Sequence, residues 1–206
     1  MIRFVALGAV LLQVVSAPLA AQEESRMHTV VELDEKTADR WRIVNDGVMG
    51  GLSRSRIVFD GSVATFEGEV SLENRGGFAS VRTSLGRTDL SDWNGIALRV
   101  EGGGATFQLR LRTDDEWDGV AYRARFEAPV GDVQTVRVPF SAFEPAWRGR
   151  VVADAAPLDP SRIEQIGFLI ADGHEGPFRL RVEGIDAYRD PDDESRHRDR
   201  RAGTAR

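Results

Sequence analysis

The chain has 206 residues, 41% of them hydrophobic, and carries 27 basic against 33 acidic side chains, for a formal net charge of −6. That length suits one domain with a sizeable core, and the hydrophobic fraction is too high for a disordered chain. An acidic balance argues against nucleic acid as a partner, and the absence of cysteine excludes disulfides and thiol chemistry.

The chain opens on Met1-Ile2-Arg3, an apolar run over residues 4–15 and small residues up to Ala21. A positive start, a short apolar core and a small-residue end predict a signal peptide over 1–21, cleaved after Ala21 or Ala20. The run is shorter than the roughly 20 apolar residues of a membrane span. No later segment is apolar enough to replace it, so no membrane span is expected after cleavage. The expected location is exported, periplasmic or extracellular. The folded part is expected over 27–188, followed by a charged, disordered tail over 189–206 that contains Pro191.

Residues 54–59 and 63–69 flank Asp60-Gly61, a pair suited to a tight hairpin turn, and 78–83 reads as a further strand. From there on, apolar residues recur at every second position. The series are Ile96/Leu98/Val100, Phe107/Leu109/Leu111, Tyr122/Ala124/Phe126, Val136/Val138/Phe140, Ile166/Phe168/Ile170 and Phe178/Leu180/Val182. Glycine-rich turns at 74–77, 102–104, 131–132 and 172–173 separate these runs, and Gly102-Gly103-Gly104 reads as a hairpin turn. Helical periodicity is almost absent; residues 161–165, after Pro160, are the best helical candidate. The pattern predicts an all-β chain, two packed antiparallel sheets in a β-sandwich of jelly-roll type.

Catalytic chemistry is hard to assemble from these residues. The three histidines, His28, His174 and His197, lie far apart in the chain, and no Gly-x-Ser-x-Gly elbow occurs. Clustered His or Cys ligands for a transition metal are missing. Asp114-Asp115-Glu116 with Asp118 is either a calcium-binding set or an exposed acidic turn. No catalytic residue, metal or cofactor is therefore expected. Binding signals are better. Trp41, Trp93, Trp117 and Trp147 fall near strand ends or loops, as a stacking surface for sugar or peptide or as plugs of the sandwich's open ends. Arg110, Arg112, Arg123 and Arg125 fall on the outward faces of two neighbouring strands, as a carboxylate-binding surface or as plain solvated faces.

Two segments carry a resemblance. They are Trp41-Arg-Ile-Val-Asn-Asp-Gly-Val-Met-Gly-Gly-Leu-Ser53 and Phe66-Glu-Gly-Glu-Val-Ser-Leu-Glu-Asn-Arg-Gly-Gly-Phe-Ala-Ser-Val-Arg82. They are joined by Val138-Pro-Phe-Ser-Ala-Phe143, Ile166-Gly-Phe-Leu-Ile170 with Asp172, and Gly176-Pro-Phe178. Over residues 37–188 the chain resembles the complex I intermediate-associated protein 30 family, the NADH:ubiquinone oxidoreductase assembly factors. The resemblance implies a galactose-binding-like sandwich. It also implies a chaperone-like role in assembly or folding, with a protein partner such as a respiratory or envelope complex subunit. Carbohydrate-binding modules share the fold, so a cell-envelope carbohydrate is the second expected ligand. Trp41, Asn45, Asp46, Met49, Asn74, Arg75 and Arg82 are the candidate binding residues, with Arg82 within reach of Asp46. The alternative is that the Asn and Asp side chains only tie the loops, where Gly50-Gly51 and Gly76-Gly77 permit angles closed to other residues.

Overall fold

A computed structural model describes residues 26–190 apart from Trp117. The expected signal peptide and the chain beyond Asp190 lie outside the described residues. Thirteen strands make up the fold: β1 Met27–Val31, β2 Trp41–Ile43, β3 Arg54–Asp60, β4 Val63–Val70, β5 Ala79–Thr88, β6 Gly95–Glu101, β7 Thr106–Arg112, β8 Ala121–Glu127, β9 Gln134–Pro139, β10 Glu144–Trp147, β11 Arg150–Val151, β12 Ile163–Ile170 and β13 Gly176–Tyr188. They form a six-stranded sheet in the order β3-β4-β13-β6-β9, with β1 also on β13, and a seven-stranded sheet in the order β11-β10-β8-β7-β12-β5-β2. Every pairing is antiparallel. This is the two-layer jelly-roll sandwich that the alternation predicts.

The alternating series supply the layer between the sheets, because successive side chains of a strand point to opposite faces. Ile96, Leu98, Val100, Phe107, Leu109, Leu111, Ile166 and Ile170 are fully buried. Phenylalanines lock the two layers together. Phe66 and Phe178 of the six-stranded sheet pack at 4.9 Å, and Phe178 meets Phe107 of the seven-stranded sheet at 6.2 Å.

Three local expectations change. The β3–β4 hairpin pairs Asp60 with Val63, so its loop is Gly61-Ser62, one residue later than Asp60-Gly61, with Gly61 at φ 57. Gly102–Gly104 is not a hairpin turn: it joins β6 to β7, which lie in different sheets. The helical candidate shrinks to a 3-10 turn over Pro160–Arg162, capped by the Asp159 side chain, after which Ile163 enters β12. Among the described residues no helix is long and apolar enough to cross a membrane.

Candidate functional site

The first family-like segment leaves β2 and turns at a 3-10 turn, Asp46–Met49, closed by Gly50 in the left-handed region at φ 88. Asp46 is fully buried. Its Oδ1 accepts the Ser53 amide at 3.0 Å, and its Oδ2 accepts the Ser53 hydroxyl at 2.5 Å and the amides of Gly77 and Phe78 at 2.7 and 3.2 Å. One carboxylate thus ties the 46–53 loop to the 73–78 loop. Ser53 extends the tie, since its Oγ also accepts the Ser71 amide at 3.0 Å. The glycines of both motifs follow from this knot. A Cβ on Gly51 would lie 2.4 Å from Asp46 Cγ, and one on Gly76 would lie 2.6 Å from Asp46 Oδ2. Burial works to raise the Asp46 pKa, but the Ser53 hydroxyl and the three amides outweigh it and hold the carboxyl below its ordinary value.

What the knot presents is apolar. Val48 and Met49, on the turn beside Asp46, are 69% and 62% exposed, and Leu52 and Leu72 are exposed nearby. Val48 and Met49 form one edge of a groove of about 670 Å³ on the outward face of the seven-stranded sheet. The other edge includes Asp118, Arg148 and Gly149, and the floor is made by outward side chains of β5, β12, β7 and β8.

Strand register sets a row of residues straight across that floor. Arg42 pairs with Arg82, Arg82 with Gly167, Gly167 with Arg110, Arg110 with Arg123, and Arg123 with Glu144. Gly167 opens the middle of the row: a Cβ there would meet the Val81 carbonyl at 2.3 Å and Arg82 Cβ at 2.7 Å. Arg82 and Arg110 therefore flank a notch with no side chain, their backbones about two strand spacings, roughly 9–10 Å, apart.

Three of the outward arginines are engaged by the protein. Arg123, only 8% exposed, donates to Glu144 Oε1 at 2.9 Å and to the Gly149 carbonyl at 3.2 Å. Arg112 holds the Glu116 and Gly119 carbonyls, both at 3.2 Å, and lies 3.7 Å from Asp114. Arg125 forks onto Asp172 at 2.8 and 3.3 Å. Arg110 differs. Its only hydrogen bonds run to Gln108 Oε1, at 3.3 Å from Nε and 3.1 Å from Nη2, and it has no ion pair among the described residues. Asp172 fixes that geometry by accepting Gln108 Nε2 at 2.9 Å, which turns the amide oxygen toward Arg110. Burial, with repulsion from Arg123 and Arg112, lowers the Arg110 pKa to about 10 against a smaller opposing pull from Asp172. Burial, then Arg112 and Arg42, lower Arg82 in the same direction. Both groups stay cationic at neutral pH.

A second hollow, of about 1000 Å³, lies against Arg54, Glu69, the 102–104 glycines and His174. It sets three arginines, Arg54, Arg56 and Arg179, against three glutamates, with Arg56 paired to Glu67 at 2.5 Å and Arg179 to Glu101 at 3.1 Å. We place the candidate site in the smaller groove, where charge is concentrated.

The candidates from the sequence divide between knot and surface. Asn45 Oδ1 accepts the Ser55 hydroxyl at 2.8 Å and the Ser80 amide at 3.3 Å, so Asn45 and Asp46 tie strands and loops. Trp41 is 7% exposed and packs against Phe59 at 6.3 Å, in the core rather than on a surface. Met49 and Arg82 line the groove. Asn74 and Arg75 are exposed on the neighbouring loop, at φ 54 and 62. Arg82 is not among the partners of Asp46, whose oxygens are filled from Ser53, Gly77 and Phe78. Trp93 stacks on His28 at 5.5 Å under the Arg189 guanidinium, away from the groove, and Trp147 donates its indole N–H to Asp118 at 3.1 Å. Trp117 lies outside the described residues. Ser53, Gln108 and Gly167 had no signal in the sequence beyond their place in a strand or motif. Among the described residues no three His, Asp or Glu side chains cluster as metal ligands.

Residues 31–182 match the sequence model of the family described as Complex I intermediate-associated protein 30. The mitochondrial Complex I intermediate-associated protein 30 of Mus musculus is 26% identical over 180 residues, covering 77% of this chain and 55% of the mouse protein. The mitochondrial protein of the same name from Drosophila melanogaster is 26% identical over 176 residues, covering 74% and 60%. This chain thus spans little more than half the length of these relatives. Among solved structures, the Clostridium thermocellum family 11 carbohydrate-binding module in complex with a mixed-linked tetrasaccharide superposes with a TM-score of 0.59. It is 18% identical and covers 80% of this chain and 96% of that one, a likeness of fold.

These relatives correct the expected location. Both are mitochondrial proteins, which overturns the exported, periplasmic or extracellular assignment. That assignment rested on an apolar leader outside the described residues, a local pattern that says nothing about the module behind it. With nearly the whole sandwich matched, the chain belongs to the complex I intermediate-associated protein 30 family.

Proposed function

We propose that this chain is a non-catalytic binding protein that assists the assembly or folding of a protein complex, with NADH:ubiquinone oxidoreductase, complex I, as the complex implied by its family. One observation carries the reading. The buried Asp46 carboxylate holds the 46–53 loop to the 73–78 loop, and those loops leave Val48, Met49, Leu52 and Leu72 exposed beside a groove. Exposed apolar residues on a rigid loop, next to charged groups in a concave surface, suit a protein partner better than turnover.

The test is made in the organism of origin. Deleting the gene is expected to lower the amount of assembled complex I on native gels, and the tagged chain is expected to migrate with complex I subassemblies. Unchanged complex I together with migration as a free protein would refute the reading. The carbohydrate alternative has the likeness of fold behind it, but two of its tryptophans are unavailable, Trp41 in the core and Trp93 under His28 and Arg189, which leaves the exposed Trp147.

A further inference from the structure

The charge of the groove runs against that of the molecule. The chain carries a net −6, yet the groove brings Arg82, Arg110, Arg112, Arg123 and Arg148 together with only Asp118 and Asp172 among its lining acids. The fold uses Arg112, Arg123 and Arg148 to hold loops and edges, through Asp114, Glu144 and Asp118. Arg110 is left with two of its five N–H donors on one neutral oxygen and no carboxylate within ion-pair distance. A half-buried guanidinium in that condition costs stability, because its lost hydration is not replaced by an opposite charge. The notch over Gly167 adjoins the free side of the Arg110 fork, and its floor carries no side chain that would block a carboxylate from reaching it.

We propose that the notch over Gly167 is an oxyanion site, with Arg110 as its donor, that takes a side-chain carboxylate from an acidic segment of the protein partner. This rests on the reading that the partner is a protein. The apolar edge favours a peptide over an acidic glycan, since Val48 and Met49 offer a hydrophobic contact one loop away from the cations. The site also gives the fold a reason to keep a costly cation: the segment supplies the missing counter-charge only in the complex.

The probe is a hexaglutamate peptide, titrated into the folded chain by calorimetry at low ionic strength, beside an oligogalacturonate of equal charge. Wild type is expected to bind hexaglutamate more tightly than the glycan. Arg110→Gln is expected to weaken the peptide by at least about tenfold, as for a lost charge-assisted fork. Its melting temperature should stay level or rise, a signature that a merely structural arginine would not give. Arg110→Lys, which keeps the charge and loses the fork, should fold as wild type and bind several-fold more weakly. Arg179→Gln, on the other sheet, should bind as wild type. The proposal is overturned by equal binding to Arg110→Gln, by an equal loss in Arg179→Gln, by preference for the glycan, or by no binding to wild type. Failure here is distinct from failure of the assembly reading. If Arg110→Gln still migrates with complex I subassemblies, only the acidic-segment assignment falls; if wild type does not migrate with them, the assembly reading itself falls.

Discussion

Replacing Asp46 by alanine removes the acceptor of three backbone amides and one hydroxyl at once. Each buried donor left without a partner costs about 1–3 kcal/mol. The four do not add in full, because Ser53 Oγ can turn toward the Ser71 carbonyl, 3.4 Å away, and water can enter the emptied space. A net loss of about 3–5 kcal/mol is expected, toward the low end of the sum of four such penalties. For a domain of this size that lowers the melting temperature by on the order of 10 °C. Asp46→Asn is milder. Its amide can be turned so that the oxygen keeps Ser53 Oγ, Gly77 and Phe78, leaving one donor–donor clash at the Ser53 amide, for a loss of about 1–3 kcal/mol. Urea titration and thermal melts measure both. Asp46→Ala melting within about 1 °C of wild type would refute the knot and return Asp46 to the list of surface contacts.

Gly51→Ala places a Cβ on the Asp46 carboxylate and should cost nearly as much as Asp46→Ala, while the double variant should lose less than the sum of the two, because the 2.4 Å approaches to Cγ and Oδ1 vanish and only the 2.8 Å approach to Cβ remains; fully additive losses in the denaturation cycle would show that the two do not touch. The folded-state pKa of Asp46 lies below its unfolded value of about 3.9, so its stabilisation is present above that pH and fades as pH falls through the folded value; the gap in melting temperature between wild type and Asp46→Asn should narrow below about pH 4, and a constant gap contradicts the assignment. Trp41→Phe removes a buried indole N–H that has no partner among the described residues, so the melt should move by no more than about 3 °C, with hexaglutamate binding unchanged; weakened binding would put Trp41 back at the surface. Met49→Ser should leave the melt unchanged and reduce migration with complex I subassemblies, whereas undiminished migration would remove the apolar edge from the interface.

Much of this architecture is legible locally. The alternating series name the core because a strand's two faces are set by parity alone, and Asn, Asp and Gly at the turns announce loops tied by side chains. The short strands β1, β2, β10 and β11 carry no such pattern; each is held by its neighbour's backbone rather than by its own alternation. The same limit explains Gly102–Gly104, where turn chemistry is visible and the change of sheet is not. Arg110, Arg112, Arg123 and Arg125 look alike in sequence. Two of them are told apart by partners distant in the chain, Glu144 21 residues from Arg123 and Asp172 47 from Arg125; Arg112 takes carbonyls of the loop that follows it, and Arg110 meets no carboxylate among the described residues. Gly167 reads as one more strand glycine until register sets it between Arg82 and Arg110. The expected Asp46–Arg82 contact fails for a related reason: the amides of Gly77 and Phe78 reach the carboxylate first.

On the proposed reading, partners dock on the groove side, against the loops that Asp46 holds. A photo-crosslinking residue placed at Met49, and separately at the exposed Val58 on the opposite sheet, tests it in cells. Crosslinks to a complex I subunit are expected from position 49 and none from position 58. Crosslinks from position 58 with none from position 49 would contradict it.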